Sequence, residues 1–209
     1  MSDDRQFAPA TLRNRLVILE ILLRVLPPEG TILEIASGTG EHAVFFAPQL
    51  WPRQWIPSDA NPAAIASIRA WQRQEPAENL AEPVLVDVTE PDWERQFLGQ
   101  RIQAIVNINM IHISPWSACL GLMAGASRVL PKGGILCLYG PFKRHGQHTA
   151  PSNAEFDASL RSQNPDWGVR DLEAVVAAAQ EHNLLLHDVF PMPANNLLVV
   201  WQAAVATKS

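Results

Sequence analysis

The sequence predicts an α/β protein with a doubly wound, mostly parallel sheet that ends in an antiparallel hairpin. Short apolar runs alternate with helical stretches through the first two thirds of the chain, a pattern typical of strands covered on both faces. Near the end, two further runs follow one another across the short turn "PMPANN". Strands joined so closely pair antiparallel, so the last pair predicts a hairpin.

Seven segments are predicted to be strands. The parallel ones are "TILEIA", "QWIPSD", "PVLVDV", "AIVNINMI" and "GILCLYG", and the hairpin strands are "LLLHDVF" and "NLLVVWQA". Between the second and third runs, "NPAAIASIRAWQRQ" predicts a helix that begins with Asn61 as its cap and Pro62 at the first helical position.

A helix is also predicted before the first strand. Leu12, Leu16, Leu19, Leu23 and Leu26 recur at steps of four and three residues, which draws one apolar stripe down a helix, and "PPEG" ends it. We interpret residues 1–30 as an N-terminal helical cap on a single domain that spans 1–209, because this length suits one core and no change of composition divides the chain.

Composition excludes several classes of function. The 16 Lys and Arg residues against 21 Asp and Glu give a mildly acidic chain without blocks of like charge, which argues against nucleic acid and favours a small-molecule partner.

No apolar run approaches the ~20 residues of a membrane span, and the polar start lacks the pattern of a signal peptide, so we expect no membrane partner and a cytoplasmic location. Cys119 and Cys137 lack metal-ligand spacing and are interpreted as core thiols.

The segment "LEIASGTGEHA" lies where the first strand ends and a helix begins, which is the ligand side of such a sheet. Gly38 and Gly40 allow a sharp turn and close approach of a ligand. With Ala43 they also match the dinucleotide pattern G-x-G-x-x-A, and Asp59 follows 19 residues after Gly40, so an NAD(P)-dependent oxidoreductase is a rival interpretation. Glu34 argues against it, because a carboxylate beside the turn repels a pyrophosphate but pairs with a cationic amino group. S-adenosylmethionine carries such a group and no phosphate.

Two more carboxylates close the next strands. Asp59 at the end of the second run has oxygens for two ribose hydroxyls, and Asp87, followed by Val88, has an oxygen for an adenine amino group. Acids at three successive strand ends favour S-adenosylmethionine as the cofactor.

These motifs resemble the class I S-adenosylmethionine-dependent methyltransferases. The residues that carry the resemblance are "LEIASGTGEHA", "PSDANP", "LVDVTE" and "INMIHISPWSACLGLMAGA", and the segments "LYGPFKRHGQHTAPSNAEFD", "WGVRDLE" and "PMPANNL" are more narrowly similar to the family of methyltransferase-like protein 26. The resemblance implies a seven-stranded Rossmann-like sheet. It also implies cofactor contacts at Glu34, Gly38, Gly40, Asp59 and Asp87, with Ser37 beside them and Ala36 where many members have the first glycine.

The end of the fourth strand, "VNINMIHISPW", is expected to present the transfer site, because alternation along the strand directs Asn107 and Asn109 to one side and the end of the strand delivers His112 to the crevice. We expect Asn109 to meet the methyl donor or the acceptor. A neutral imidazole takes protons near pH 7, so His112 is a candidate general base, although positioning and removal of water also suffice for methyl transfer from a sulfonium.

A long polar connection, residues 140–168, leaves the fifth strand on the same side and is interpreted as a lid. Candidate substrate contacts are Tyr139, His145, His148 and Asn153, with Trp116 from the previous loop. His145 and His148 have no third ligand at suitable spacing, so no metal site is assigned.

The sequence therefore predicts an S-adenosylmethionine-dependent methyltransferase with a small-molecule acceptor. A protein that binds S-adenosylmethionine without catalysis is the alternative, followed by an NAD(P)-dependent oxidoreductase. The acceptor and the oligomeric state are left open by the residues alone.

Overall fold

A computed structural model describes residues 4–204. The main sheet has seven strands in the order β3-β2-β1-β4-β5-β9-β8: β1 Thr31–Ile35, β2 Gln54–Asp59, β3 Val84–Leu85, β4 Ile102–Ile108, β5 Ile135–Arg144, β8 Leu184–Met192 and β9 Asn196–Ala203. Neighbours among β1 to β5 pair parallel, whereas β9 pairs antiparallel with both β5 and β8. Two short strands, β6 Gln147–His148 and β7 Arg170–Asp171, pair with the end of β5.

Six α-helices are described with the sheet: α1 Pro9–Val25, α2 Glu41–Gln49, α3 Pro62–Gln74, α4 Trp116–Val129, α5 Pro151–Gln163 and α6 Leu172–Glu181. Alternate residues of β1 enter two different apolar clusters, with Leu33 in the cluster that contains residues of α4 and α6 and Ile32 in the cluster that contains residues of α1 and α2. Both faces of the sheet are therefore buried, as a doubly wound fold requires.

The predicted start of α3 is confirmed. Asn61 is the N-cap, its side chain accepts a hydrogen bond from the backbone N–H of Ala63, and Pro62 follows in the first turn. The third strand is shorter than predicted, since only Val84 and Leu85 pair with β2 and the chain leaves the ladder before Asp87.

Most of the leucine stripe along α1 is exposed. Leu12, Leu16 and Leu23 are 62%, 66% and 50% exposed, and the buried face of the helix instead includes Thr11 and Asn14. Spacing detects a stripe but does not say which side of the helix meets the sheet. Of these two polar residues, Asn14 lines a cavity.

The described residues, 4–204, contain no helix that is both long and apolar enough to cross a membrane.

Candidate functional site

Two cavities lie at the carboxyl ends of the parallel strands. We call the first the Asp cavity, about 560 Å³, whose lining includes Ala36, Gly38, Asp59, Asp87, Val88 and Met110. We call the second the Asn cavity, about 430 Å³, whose lining includes Arg13, Asn14, Asn109, Tyr139, Asn153 and Asn196. The cavities flank the end of β4, because Ile108 and Met110 line the first and Asn109 lines the second.

The glycine turn of the Asp cavity is held by Asp59. One carboxylate oxygen of Asp59 accepts a hydrogen bond from the backbone N–H of Gly38 at 2.8 Å, and the other accepts from Asn61 at 2.9 Å. A carboxylate oxygen has room for more than one donor, so Asp59 keeps acceptor capacity toward the cavity that it lines. The turn and the second strand are thereby fixed to each other.

Asp87 occupies the next strand end. One oxygen accepts hydrogen bonds from the backbone and the hydroxyl of Thr89, at 2.9 and 2.7 Å, and the side chain is exposed at the cavity. No Lys, Arg or His residue is among those that line the Asp cavity within the described chain. Its lining is therefore anionic at Asp59 and Asp87. It is neutral elsewhere, with polar side chains at Asn61, Thr89 and Ser114 and apolar ones that include Ile35, Val86 and Ile108.

Ala36 has a left-handed backbone with φ of 58°. This conformation costs a residue with a Cβ about 1 to 2 kcal/mol relative to glycine, which explains why many members of the class have glycine there. The alanine still lines the Asp cavity. The departure from the motif therefore leaves the path of the turn intact.

Glu34 does not line the cavity, and its contact with a ligand's amino group stays a prediction. The side chain is buried, and one oxygen accepts hydrogen bonds from Trp55 Nε1 at 3.0 Å and Ser37 Oγ at 2.8 Å. Burial raises the pKa of Glu34 from its ordinary value near 4.5 to about 7, against the smaller opposite effect of these hydrogen bonds. Ser37 and Gly40 are also outside the lining, since Ser37 is buried and Gly40 packs against Ile68.

We expect Glu34→Gln to remove a pH dependence of stability. The folded protein holds the Glu34 proton more tightly than the unfolded chain, so the free energy of unfolding should fall as pH rises from about 4.5 to 7, by about 2 kcal/mol. Glutamine keeps an oxygen for the two donors and carries no charge. Urea unfolding from pH 5 to 8 should therefore give a flatter profile for the variant than for wild type, with exposed Glu20→Gln as the control. Parallel profiles for Glu34→Gln and wild type would contradict the assignment.

His112 lies in the core, and its role as a general base stays a prediction. Asn109 adopts a left-handed conformation, φ 65°, and the short 3-10 helix Met110–His112 turns the imidazole inward. The ring is fully buried, packs edge-on against Phe142, and Nδ1 accepts a hydrogen bond from the Arg170 backbone at 3.3 Å. Burial and the charge of Arg170 lower the pKa of His112 to about 3, and His112 lines neither cavity.

The other predicted substrate contacts divide into two groups. Tyr139 and Asn153 line the Asn cavity together with Asn109. Trp116, His145 and His148 do not: the Trp116 ring packs beside the Arg170 guanidinium, His145 is exposed near Glu173, and His148 lies 3.4 Å from Asp157. His145 lies in the turn between β5 and β6, and His148 lies on β6, which pairs antiparallel with the end of β5.

Sequence reasoning missed Arg13 and Asn14. Both lie on α1, and only the packing of that helix against the sheet brings them to the end of β5. The signal in the sequence was weak: Thr11 and Asn14 are polar residues inside an otherwise leucine-rich helix. The turn "PMPANN" contributes Pro193, Ala194 and Asn196 to the lining.

Comparison with known proteins places the chain in a family. The model of the family described as "Protein of unknown function (DUF938)" matches residues 5–203. The chain belongs to the DUF938 family. The match extends over both cavities, including Arg13 at one end of the chain and Asn196 at the other.

Solved structures show which fold this DUF938 member has. An O-methyltransferase family protein from Burkholderia thailandensis is 12% identical with a TM-score of 0.77, covering 94% of this chain and 57% of its own. An O-methyltransferase family 2 protein from Planctomyces limnophilus, in complex with apigenin, is 20% identical with a TM-score of 0.74, at 93% and 60% coverage. Human N-acetylserotonin methyltransferase in complex with SAM is 11% identical with a TM-score of 0.76, at 94% and 53%. The predicted Rossmann-like methyltransferase fold is confirmed, and the chain spans little more than half the length of these proteins.

Proposed function

We propose that this DUF938 protein is an S-adenosylmethionine-dependent methyltransferase that acts on a small-molecule acceptor. The observation that carries the proposal is the Asp cavity, which has two carboxylates at neighbouring strand ends and no cation among its described lining residues. A pyrophosphate needs positive charge or free N–H donors, and the turn's Gly38 N–H is already bonded to Asp59. A cationic ligand without phosphate suits this lining better than NAD(P), which disfavours the oxidoreductase alternative.

The lining residues fit the parts of this cofactor. Asp59 offers acceptor oxygens for ribose hydroxyls, Asp87 offers one for an adenine amino group, and Val86, Val88 and Ile108 supply apolar surface for a ring. S-adenosylmethionine supplies, when bound, an electrophilic methyl group on a sulfonium sulfur. Gly38 has no neighbouring atom within 4 Å of the place where a Cβ would stand, so the turn leaves open space for a ligand.

The Asn cavity is the proposed acceptor site. It shares the end of β4 with the Asp cavity, and Asn109 presents a side-chain amide with no hydrogen-bond partner among residues 4–204. The segment 140–168, which we propose as the lid, supplies Pro141, Asn153 and Phe156 to one wall. Asn153 also donates a hydrogen bond to the backbone oxygen of Asn195 at 3.0 Å, which ties this segment to the turn between β8 and β9.

We infer that the similarity to methyltransferase-like protein 26 and the DUF938 match describe one group of proteins. A cytoplasmic location is supported by Cys119 and Cys137, which are buried thiols without a disulfide.

Calorimetric titration of the purified protein tests the cofactor. We expect S-adenosylmethionine and S-adenosylhomocysteine to bind at the same site and NAD to bind much more weakly or not at all, because NAD carries two phosphates toward Asp59 and Asp87. NAD that binds as tightly as S-adenosylhomocysteine would refute the proposal. A protein that binds S-adenosylmethionine but never yields S-adenosylhomocysteine with metabolite extracts would instead be the non-catalytic binder.

A further inference from the structure

Few ionisable groups line the Asn cavity. Of the described residues that line it, Arg13 alone carries a formal charge, and none is an Asp, Glu, His, Lys or Cys. Tyr139 is the other ionisable residue, and burial raises the pKa of its phenol. The lining therefore offers a positive charge and no group that takes a proton at neutral pH.

The guanidinium of Arg13 is uncommitted among residues 4–204. It forms no hydrogen bond or ion pair with any described residue. The other arginines of α1 differ in this respect, since Arg15 lies over the Phe45 ring at 4.4 Å and Arg24 over the Phe190 ring at 5.2 Å. A guanidinium that is free at the wall of a cavity is suited to a carboxylate, which it binds through two parallel hydrogen bonds.

The hydrogen-bonded pair of His42 and Asn14 orients a second donor toward the same cavity. His42 Nε2 and Asn14 Oδ1 are 2.8 Å apart, and burial lowers the pKa of His42 to about 4, so a neutral imidazole donates to the amide oxygen. Asn14 and Tyr139 both line the cavity, and the Asn14 side chain lowers the pKa of the Tyr139 phenol against the larger effect of burial. Since its oxygen is occupied by His42, Asn14 presents its NH₂ group to the phenol oxygen. The O–H of Tyr139 is then left to donate to an occupant of the cavity that it lines.

We infer that the acceptor is a small organic carboxylate and that the methyl group is transferred to its carboxylate oxygen. This inference rests on the proposed function, and it names the acceptor that the Asn cavity suits. Arg13 and Tyr139 donate to an anion, whereas an ammonium is repelled by Arg13. Alcohols and phenols lose a proton on methylation, and no lining side chain takes it. A carboxylate is already ionised near pH 7.

The transfer is balanced without a base. An electron pair of the carboxylate oxygen forms the bond to the methyl carbon while the bond from that carbon to sulfur breaks, and its pair stays on sulfur. The anion and the sulfonium become a neutral methyl ester and a neutral thioether, and no proton is released. Positioning by Arg13, Tyr139 and Asn109 and exclusion of water are then what the protein supplies.

Binding tests the anion preference without turnover. Protein saturated with S-adenosylhomocysteine is titrated, with NMR detection, with three matched pairs of acid and primary amide: benzoate and benzamide, phenylacetate and phenylacetamide, and hexanoate and hexanamide. We expect acids to bind about tenfold or more tightly than their amides in wild type and in Arg24→Gln, and this preference to disappear in Arg13→Gln. Arg13 is exposed, so the variant should fold normally. Acids that bind no better than amides, or a preference that survives in Arg13→Gln, overturn the inference.

The product tests the acceptor atom. The protein is incubated with methyl-labelled S-adenosylmethionine and a metabolite extract, and the products are treated with alkali, which releases methanol from methyl esters but not from ethers, amines or thioethers. We expect volatile labelled methanol, lost in Arg13→Gln and kept in Arg24→Gln. Label that resists alkali overturns the carboxylate inference and leaves the proposed function standing. No label in any product, from a protein that binds S-adenosylmethionine, overturns methyl transfer itself.

Discussion

Replacement of Asp59 by alanine is expected to weaken the binding of S-adenosylhomocysteine by about 10- to 100-fold, the scale of about 1.5 to 3 kcal/mol for hydrogen bonds to a charged group. The change removes both a ligand-facing carboxylate and a hydrogen-bond acceptor of the turn. The carboxylate no longer faces the Asp cavity, and the N–H groups of Gly38 and Asn61 lose their acceptor, so the turn between β1 and α2 is less firmly fixed.

Calorimetry separates these contributions. Asp59→Asn keeps an oxygen for one backbone N–H and loses the charge, so its affinity should fall between those of wild type and Asp59→Ala. Asp188→Ala serves as the control, because Asp188 lies on β8 and lines neither the Asp nor the Asn cavity. A folded Asp59→Ala protein with wild-type affinity would remove Asp59 from the site.

Replacement of Gly40 by alanine is expected to lower the free energy of unfolding by about 2 to 4 kcal/mol. Gly40 has φ of 90°, and a Cβ at this position would lie 2.8 Å from the Cα of Ile68 in α3. The contact is with backbone, which cannot rotate away as a side chain does. Thermal unfolding should show a midpoint lower by roughly 5 to 15 °C for a chain of this size.

Gly38→Ala is the matched variant. Its φ of 57° is also left-handed, but no atom lies within 4 Å of the added Cβ. Its stability should fall by only about 1 kcal/mol, whereas S-adenosylhomocysteine should bind less well because the methyl group projects into the open side of the turn. Equal losses of stability in the two variants would mean that the close contact between Gly40 and Ile68 does not cause the extra loss predicted for Gly40→Ala.

Periodicity predicted the main sheet because β1, β4, β5 and β9 are largely continuous apolar runs, whereas it overestimated the length of β3. The short strands β6 and β7 carry no such signal, since they consist of Gln147, His148, Arg170 and Asp171 and form only because β5 extends beyond its neighbours. The face of α1 could not be predicted for a related reason. Leucine spacing describes the helix alone, whereas burial depends on what the sheet presents to it.

The same division holds for the candidate site. Asp59 and Asp87 were predictable because parallel topology brings successive strand ends to one edge. The burial of His112 could not be predicted, because the left-handed turn at Asn109 reverses the direction of the residues that follow. Arg13 and Asn14 reach the site from a helix more than a hundred residues away from Tyr139 in the chain, and such a meeting depends on tertiary packing that a local pattern does not contain.

The end of β4 has a thermodynamic consequence. Ile108 and Met110 border one cavity and Asn109 borders the other, so an occupant that shifts Asn109 also shifts the wall of the neighbouring cavity through two peptide bonds. On the proposed function, a ligand in either cavity would then alter the affinity of the other, and linkage requires the two effects to be equal in size. Methyl donor and acceptor would be heterotropic effectors of one another, so an affinity measured for either one would describe a particular state of occupancy of the other.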